Sequence, residues 1–154
     1  MKYLILENIR SAYNVGAIFR TADGAGIGKI FLVGYTPTPV DRFGRTQTEI
    51  HKTSLGASQE IDWEHVEDTK AIINELKDQA VQVVAVEQTK EAIHLPEFTA
   101  PENVAYILGN EVEGVVTETL ALVDQVVQIP MLGKKESLNV SVAAGIVLYH
   151  QLTN

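Results

Sequence analysis

Cysteine is absent from the 154 residues. That removes any disulfide framework, thiolate nucleophile or zinc–cysteine site, and suits a cytoplasmic protein. No apolar run is long enough to span a bilayer, so no membrane partner is expected. The N-terminal stretch MKYLILENIR has one lysine and a four-residue apolar run, too short for a signal peptide. No Walker A loop occurs. Gly24, Gly26 and Gly28 fall between a helix and a following strand, whereas a dinucleotide fingerprint needs strand then helix. His51, His65, His94 and His150 show no metal-ligand spacing, so no metal is expected. Ser137 lacks a G-x-S-x-G context, which argues against a hydrolase triad. Net positive charge is lacking too. The formal charge is −8, which argues against nonspecific nucleic-acid binding. The charge is uneven, however: residues 1–52 carry +3, residues 53–133 carry −12 and residues 134–154 carry +1. A solvated acidic face accounts for the total. If the two ends meet in space, a local basic site sits on an acidic protein.

What is present is an alternation of apolar strands and helical patterns. Residues 3–7 read as a buried strand. Asn14 then stands before Val15, Ile18, Phe19 and Ala22, a helix face with Asn14 as its N-cap, and Gly24 and Gly26 end that helix. Strands follow at 29–33, 60–63, 82–87, 104–108 and 125–129. A surface loop is expected at 34–48, a short helix at 49–57, and an amphipathic helix at 68–79. Residues 88–102 read as irregular, 117–123 as a short helix capped by Thr117, and 139–151 as the last helix. This order implies an α/β fold, a parallel sheet with helices on both faces, in a single domain over 1–154. The last helix carries one apolar stripe at Val140, Ala143, Ala144, Val147 and Leu148. A second lies at Val142, Ile146 and Tyr149, where a surface helix needs only one.

Three strand-to-loop or loop-to-helix transitions hold unusual polar residues. Arg20 near the end of the first helix suits a helix C-terminus, and Asn14 suits a cap. Glu111 stands just past a strand, at the edge where α/β sites lie. Ser137 reads equally as a cap of the last helix. Asn139 adds a second polar group at the same helix mouth, more than capping requires.

Read together, N-V-G-A-I-F-R-T-A (14–22), L-G-N-E-V-E-G-V (108–115) and I-P-M-L-G-K-K-E-S-L-N-V-S-V-A-A (129–144) resemble the three motifs of the SpoU/TrmH family. They stand in the family's order and nearly span the chain. That family belongs to the SPOUT superfamily of RNA methyltransferases. The resemblance implies a deep C-terminal trefoil knot, a homodimer, S-adenosylmethionine as methyl donor, and a ribose 2′-hydroxyl of tRNA or rRNA as acceptor. By motif position it implies cofactor contacts at Leu108, Gly109, Ile129, Met131 and Leu138, with Glu87 at the end of an earlier strand. Arg20 matches the family's catalytic arginine, and Asn14, Glu111, Ser137 and Asn139 match its polar cluster.

The chemistry suits these residue types. In-line methyl transfer from a sulfonium depends on positioning and needs no metal. The family mechanism casts the arginine as base. An arginine side chain is normally never deprotonated, which speaks instead for binding the adjacent phosphate and stabilising a developing alkoxide. With no appended domain, RNA is gripped by this domain or by a partner protein, and tRNA is favoured over rRNA. Phosphate contacts are expected at Arg10, Arg42, Arg45, Lys52, Lys134 and Lys135, besides Arg20, all in the basic ends. An alternative from another class is an RNA-binding assembly factor that keeps the fold without catalysis. The full set of five polar residues speaks against it.

Overall fold

The computed structural model describes residues 1–153. Apolar runs become strands at Lys2–Glu7 (β1), Lys29–Val33 (β2), Asp62–Val66 (β3), Gln82–Val86 (β4), Ile93–His94 (β5), Val104–Leu108 (β6) and Gln125–Gln128 (β7). Helices occupy Ala12–Gly24 (α1), Thr48–Ser54 (α2), Ala57–Glu60 (α3), Thr69–Asp78 (α4), Thr117–Leu120 (α5) and Val140–Thr153 (α6). The strands form one sheet in the order β3-β2-β1-β6-β4-β7-β5. Every pairing is parallel, so all strands deliver their following loops to one edge.

Alternation along β1 sorts the core into two layers. Leu4 and Leu6 face a cluster with Val15, Ile18 and Phe19 of α1, Ile50 of α2 and Val147 and Leu148 of α6. Ile5 faces the other side, with Ile72, Ile73 and Leu76 of α4 and Val115. Phe19 and Ile18 are fully buried. Each such side chain contributes about 1.5–3 kcal/mol by leaving water. Gly16 has a packing reason: a Cβ there would lie 1.8 Å from Thr53 Oγ1 and 2.9 Å from the Ile50 carbonyl oxygen. Its absence lets α2 press against α1.

Several expectations shift. Asn14 is not the cap of α1. Ser11 is, its side chain accepting from the Asn14 N–H at 3.1 Å, and Asn14 is buried inside the first turns. The expected 49–57 helix is two short helices, broken where Leu55 and Gly56 adopt positive φ. Its neighbouring strand lies at Asp62–Val66 rather than 60–63, an edge strand whose charges face water. The irregular stretch 88–102 contributes β5 and a 3-10 turn, Leu95–Glu97. Thr117 opens α5 without capping it through its side chain. Asn139, not Ser137, caps α6: its Oδ1 accepts from the Ser141 N–H at 2.9 Å and Oγ at 2.6 Å. The second stripe of α6 is exposed at Val142, Ile146 and Tyr149, continued by Leu152. Among the described residues, no helix is long and apolar enough to cross a membrane.

Candidate functional site at the sheet edge

The loops leaving β4, β6 and β7 converge on a cleft of about 450 Å³, within the usual size of small-ligand sites. Its floor and walls are apolar at Val86, Leu108, Ile129, Met131, Leu138, Val140 and Ala143. Glu87, Glu111, Glu113, Glu136 and Ser137 add polar groups. Gly109 lies where the loop after β6 folds back on itself. A Cβ there would stand 2.3 Å from Gly114 C and 2.3 Å from Val115 N, so only glycine allows the turn. Asn110 locks the same loop. Its Oδ1 accepts from the Val112 and Glu113 N–H groups at 2.9 Å each. Its Nδ2 donates to the Asn8 carbonyl and the Tyr35 hydroxyl, at 2.9 Å each.

One rim of the cleft is a polar chain that joins all three motifs. Glu111 Oε1 and Oε2 accept from the N–H groups of Arg10 and Ser11, at 2.8 and 2.9 Å. Asn14 Nδ2 lies 3.4 Å from Glu111 Oε2, and Asn139 Nδ2 donates to Asn14 Oδ1 at 3.3 Å. Burial pushes the Glu111 pKa up, but the Arg10 and Ser11 N–H groups, its own backbone N–H and the Asn14 amide outweigh burial. They hold its carboxyl below the ordinary range. Glu111 is thus an anion that fastens the start of α1 to the loop after β6.

Arg20 is elsewhere. It is exposed, two turns along α1 from Asn14, in a second groove of about 530 Å³ with Tyr13, Lys52, Thr53 and Tyr149. Among the described residues its guanidinium has no partner. The polar cluster expected from sequence therefore divides within one chain. Asn14, Glu111 and Asn139 are linked, Ser137 lines the cleft beside them, and Arg20 stands apart. All six expected cofactor positions, Glu87, Leu108, Gly109, Ile129, Met131 and Leu138, line the cleft. Glu87 also has a structural task, accepting from the Gln88 and Val115 N–H groups at 2.9 Å each. Of the expected RNA contacts, Lys52 shares the Arg20 groove. Arg42 and Arg45 sit on a hairpin before α2, Arg10 is exposed beside Glu111, and Lys134 and Lys135 are exposed in the loop after β7.

Sequence reasoning missed Glu7, Tyr35 and Asn110. Glu7 is 2% exposed. Its Oε2 accepts from the hydroxyls of Thr69 at 2.6 Å and Thr119 at 2.5 Å, and its Oε1 from the Val116 N–H at 3.0 Å. The available signal was a carboxylate ending an otherwise apolar strand. Among the described residues, no group of three His, Asp or Glu side chains is placed to hold a metal ion.

Fold and cleft define an α/β protein whose candidate ligand site is built from three loops at the C-terminal edge of a parallel sheet. The model of the SpoU rRNA Methylase family matches residues 1–149, and the chain belongs to that family. It is 34% identical over 150 residues to the 23S rRNA (guanosine-2′-O-)-methyltransferase RlmB of Bordetella pertussis, covering 97% of this chain and 58% of that protein. The chain thus spans little more than half the length of that relative. The AdoMet-bound rRNA methyltransferase from Sinorhizobium meliloti superposes with a TM-score of 0.88 at 29% identity, covering 99% of this chain and 56% of that one. The A. aeolicus TrmH/SpoU tRNA modifying enzyme gives a TM-score of 0.86 at 27% identity, covering 99% and 74%. The parallel sheet and its flanking helices are the SPOUT methyltransferase fold that the three motifs implied.

Proposed function

We propose that this protein is an S-adenosylmethionine-dependent RNA methyltransferase acting on a ribose 2′-hydroxyl, of tRNA in preference to rRNA, as a cytoplasmic homodimer. The observation that carries the reading is the cleft with its linked rim: Asn14, Glu111 and Asn139 come from three distant motifs and meet beside one apolar-floored pocket. The pocket fits the cofactor chemically. Its apolar walls suit an adenine and a thioether chain, and the carboxylates of Glu87, Glu113 and Glu136 suit a ribose diol and the positive charges. Leu108, Gly109, Ile129, Met131 and Leu138 would hold it. When bound, S-adenosylmethionine supplies a methyl group already activated by the sulfonium.

The chain's own residues then have to present the RNA. Ser137 and Asn139 orient the ribose at the cleft mouth, and Arg20 binds the adjoining phosphate and stabilises the developing alkoxide. Arg20 reaches a cleft only across a subunit boundary. The exposed face Val142, Ile146, Tyr149 and Leu152 supports a dimer there, because Tyr149 also lines the Arg20 groove. A knotted crossing of the loops after β6 and β7 is part of the same proposal. Arg10, Arg42, Arg45, Lys52, Lys134 and Lys135 supply phosphate contacts.

The deciding experiment compares wild type with Arg20→Ala. Calorimetry reads S-adenosylmethionine binding, and transfer of labelled methyl groups reads activity on tRNA lacking the modification. The expected result is intact cofactor binding with transfer lowered at least about 100-fold, the scale of a lost charge-stabilising donor. Full transfer by the variant removes the role of Arg20. Wild-type protein that binds RNA but no cofactor makes it an assembly factor instead.

A further inference from the structure

The hairpin of residues 40–46 is better ordered than a surface connection requires. Val40 and Thr46 form an antiparallel bridge. The Asp41 N–H donates to the Arg45 carbonyl at 2.9 Å, and the Gly44 N–H to the Asp41 carbonyl at 3.0 Å. Asp41 Oδ1 accepts from the Phe43 and Arg45 N–H groups, at 2.8 and 2.9 Å. Its Oδ2 accepts from Arg45 Nε at 2.8 Å. The Arg45 backbone N–H, followed by the Arg45 guanidinium and the Phe43 N–H, holds the Asp41 carboxyl below its ordinary range.

All this bonding presents one apolar ring to water. Phe19, Phe31 and Phe98 are at most 5% exposed, whereas Phe43 is 66% exposed at the hairpin tip. The guanidinium carbons of Arg42 and Arg45 lie 4.8 and 5.0 Å from its ring centroid. An exposed aromatic ring flanked by guanidinium groups is a surface on which nucleobases stack. Arg45 spends only Nε on Asp41, so its terminal N–H groups stay available to an anion, as do those of Arg42. The placement along the chain is apt. The hairpin follows Tyr35, which is bonded to Asn110 of the cleft loop. It leads into α2, whose Lys52 lines the Arg20 groove. Two arginines against one aspartate here are notable on a chain of net charge −8.

We propose that this hairpin is a stacking platform for an unpaired nucleobase of the RNA, with Arg42 and Arg45 holding the phosphate beside it. This rests on the RNA-methyltransferase reading and adds a base-binding subsite to it. The test uses the full chain and a fluorescent single-stranded RNA of about ten nucleotides, within the site sizes of single-strand binders. Affinity is measured across a salt series for wild type, Phe43→Ala, Phe43→Trp and Arg42→Ala. S-adenosylmethionine binding is measured in parallel. Phe43 is too exposed for its replacement to disturb the core.

Phe43→Ala should weaken RNA binding roughly 5- to 150-fold, the range for loss of one stacked base, with the salt slope and cofactor affinity unchanged. Phe43→Trp should restore it. Arg42→Ala should reduce the salt slope by about one counterion. Unchanged RNA affinity in Phe43→Ala overturns the platform, and so does wild type that fails to bind the RNA. An intact Phe43 effect without any cofactor binding keeps the platform and sinks the enzyme reading. Normal cofactor binding with no Phe43 effect overturns the platform and leaves the enzyme reading standing.

Discussion

Removing the Glu7 carboxylate tests whether the cleft loop is held from beneath. Glu7 accepts three hydrogen bonds in a site closed to water, tying the end of β1 to the start of α4 and the start of α5. In Glu7→Ala the two threonine hydroxyls can rotate toward other acceptors, but the Val116 N–H is fixed and is left unpaired. Buried donors without partners cost about 1–3 kcal/mol, and bonds to charged groups contribute about 1.5–3 kcal/mol each. Allowing for hydroxyl rotation, the expected loss is about 3–5 kcal/mol, a large part of a stability of about 5–15 kcal/mol. That corresponds to a fall in Tm of about 6–20 °C for a chain of this size. Glu7→Gln should be milder, about 1–2 kcal/mol. Its oxygen keeps Val116, and its two amide N–H groups can donate to the hydroxyls once these turn into acceptors. Urea denaturation at fixed protein concentration without ligand measures both, since dimerisation and binding would shift the midpoint. A double-mutant cycle with Thr119→Val should show coupling of about 1 kcal/mol or more. A Glu7→Ala loss under about 1 kcal/mol, or no coupling to Thr119, refutes the reasoning.

Gly109→Ala forces a Cβ onto the backbone of Gly114 and Val115, so the cleft loop must move. S-adenosylmethionine affinity should fall at least about tenfold with about 1–3 kcal/mol lost in stability, while Gly133→Ala, with open space around it, should change neither. Equal affinities for the two variants, by calorimetry, would contradict this. Glu111 has a carboxyl held below its ordinary value of 4.5, so its stabilising effect is complete above that pH and fades as pH falls through the folded value. Hydrogen exchange at the Arg10 and Ser11 amides should therefore be protected at neutral pH relative to Glu111→Gln. The difference should disappear on acidification once the pH has fallen through the lowered folded value. A difference that persists there would mean that the carboxylate charge is not what holds α1.

Much of the fold was legible because its signals are local. The runs of β2 and β6 and the α4 stripe of Ile72, Ile73 and Leu76 carry their own periodicity. Asn14 was misread because capping and site-building draw on the same residue types. Only the burial of Asn14, its contact with Asn139 and the presence of Ser11 three residues earlier separate the two. Edge strand β3 was misplaced because D-W-E-H-V has little apolar pattern. Motif order alone does not separate Arg20 from the other polar residues; only the resemblance, taken with the second α6 stripe as a dimer face, leads to the expectation of Arg20 near a neighbouring subunit's pocket. Glu7, Tyr35 and Asn110 meet partners 62–112, 75 and 102 positions away, and no local window contains such pairs.

The sheet order has a consequence in time. Strand β6 lies between β1 and β4, yet it is made after both. Until residues 104–108 leave the ribosome, β1 keeps one flank bare and β4 both, since β7 is made later still, and the flanks of β1 and β4 that will meet β6 have no neighbour. The early chain must avoid zipping those two flanks to each other, a pairing that later has to be undone. Insertion of β6 is therefore the expected slow event in biogenesis, as for other topologies dominated by distant contacts. The preceding interval is when the nascent chain is most open to misassembly and chaperone capture.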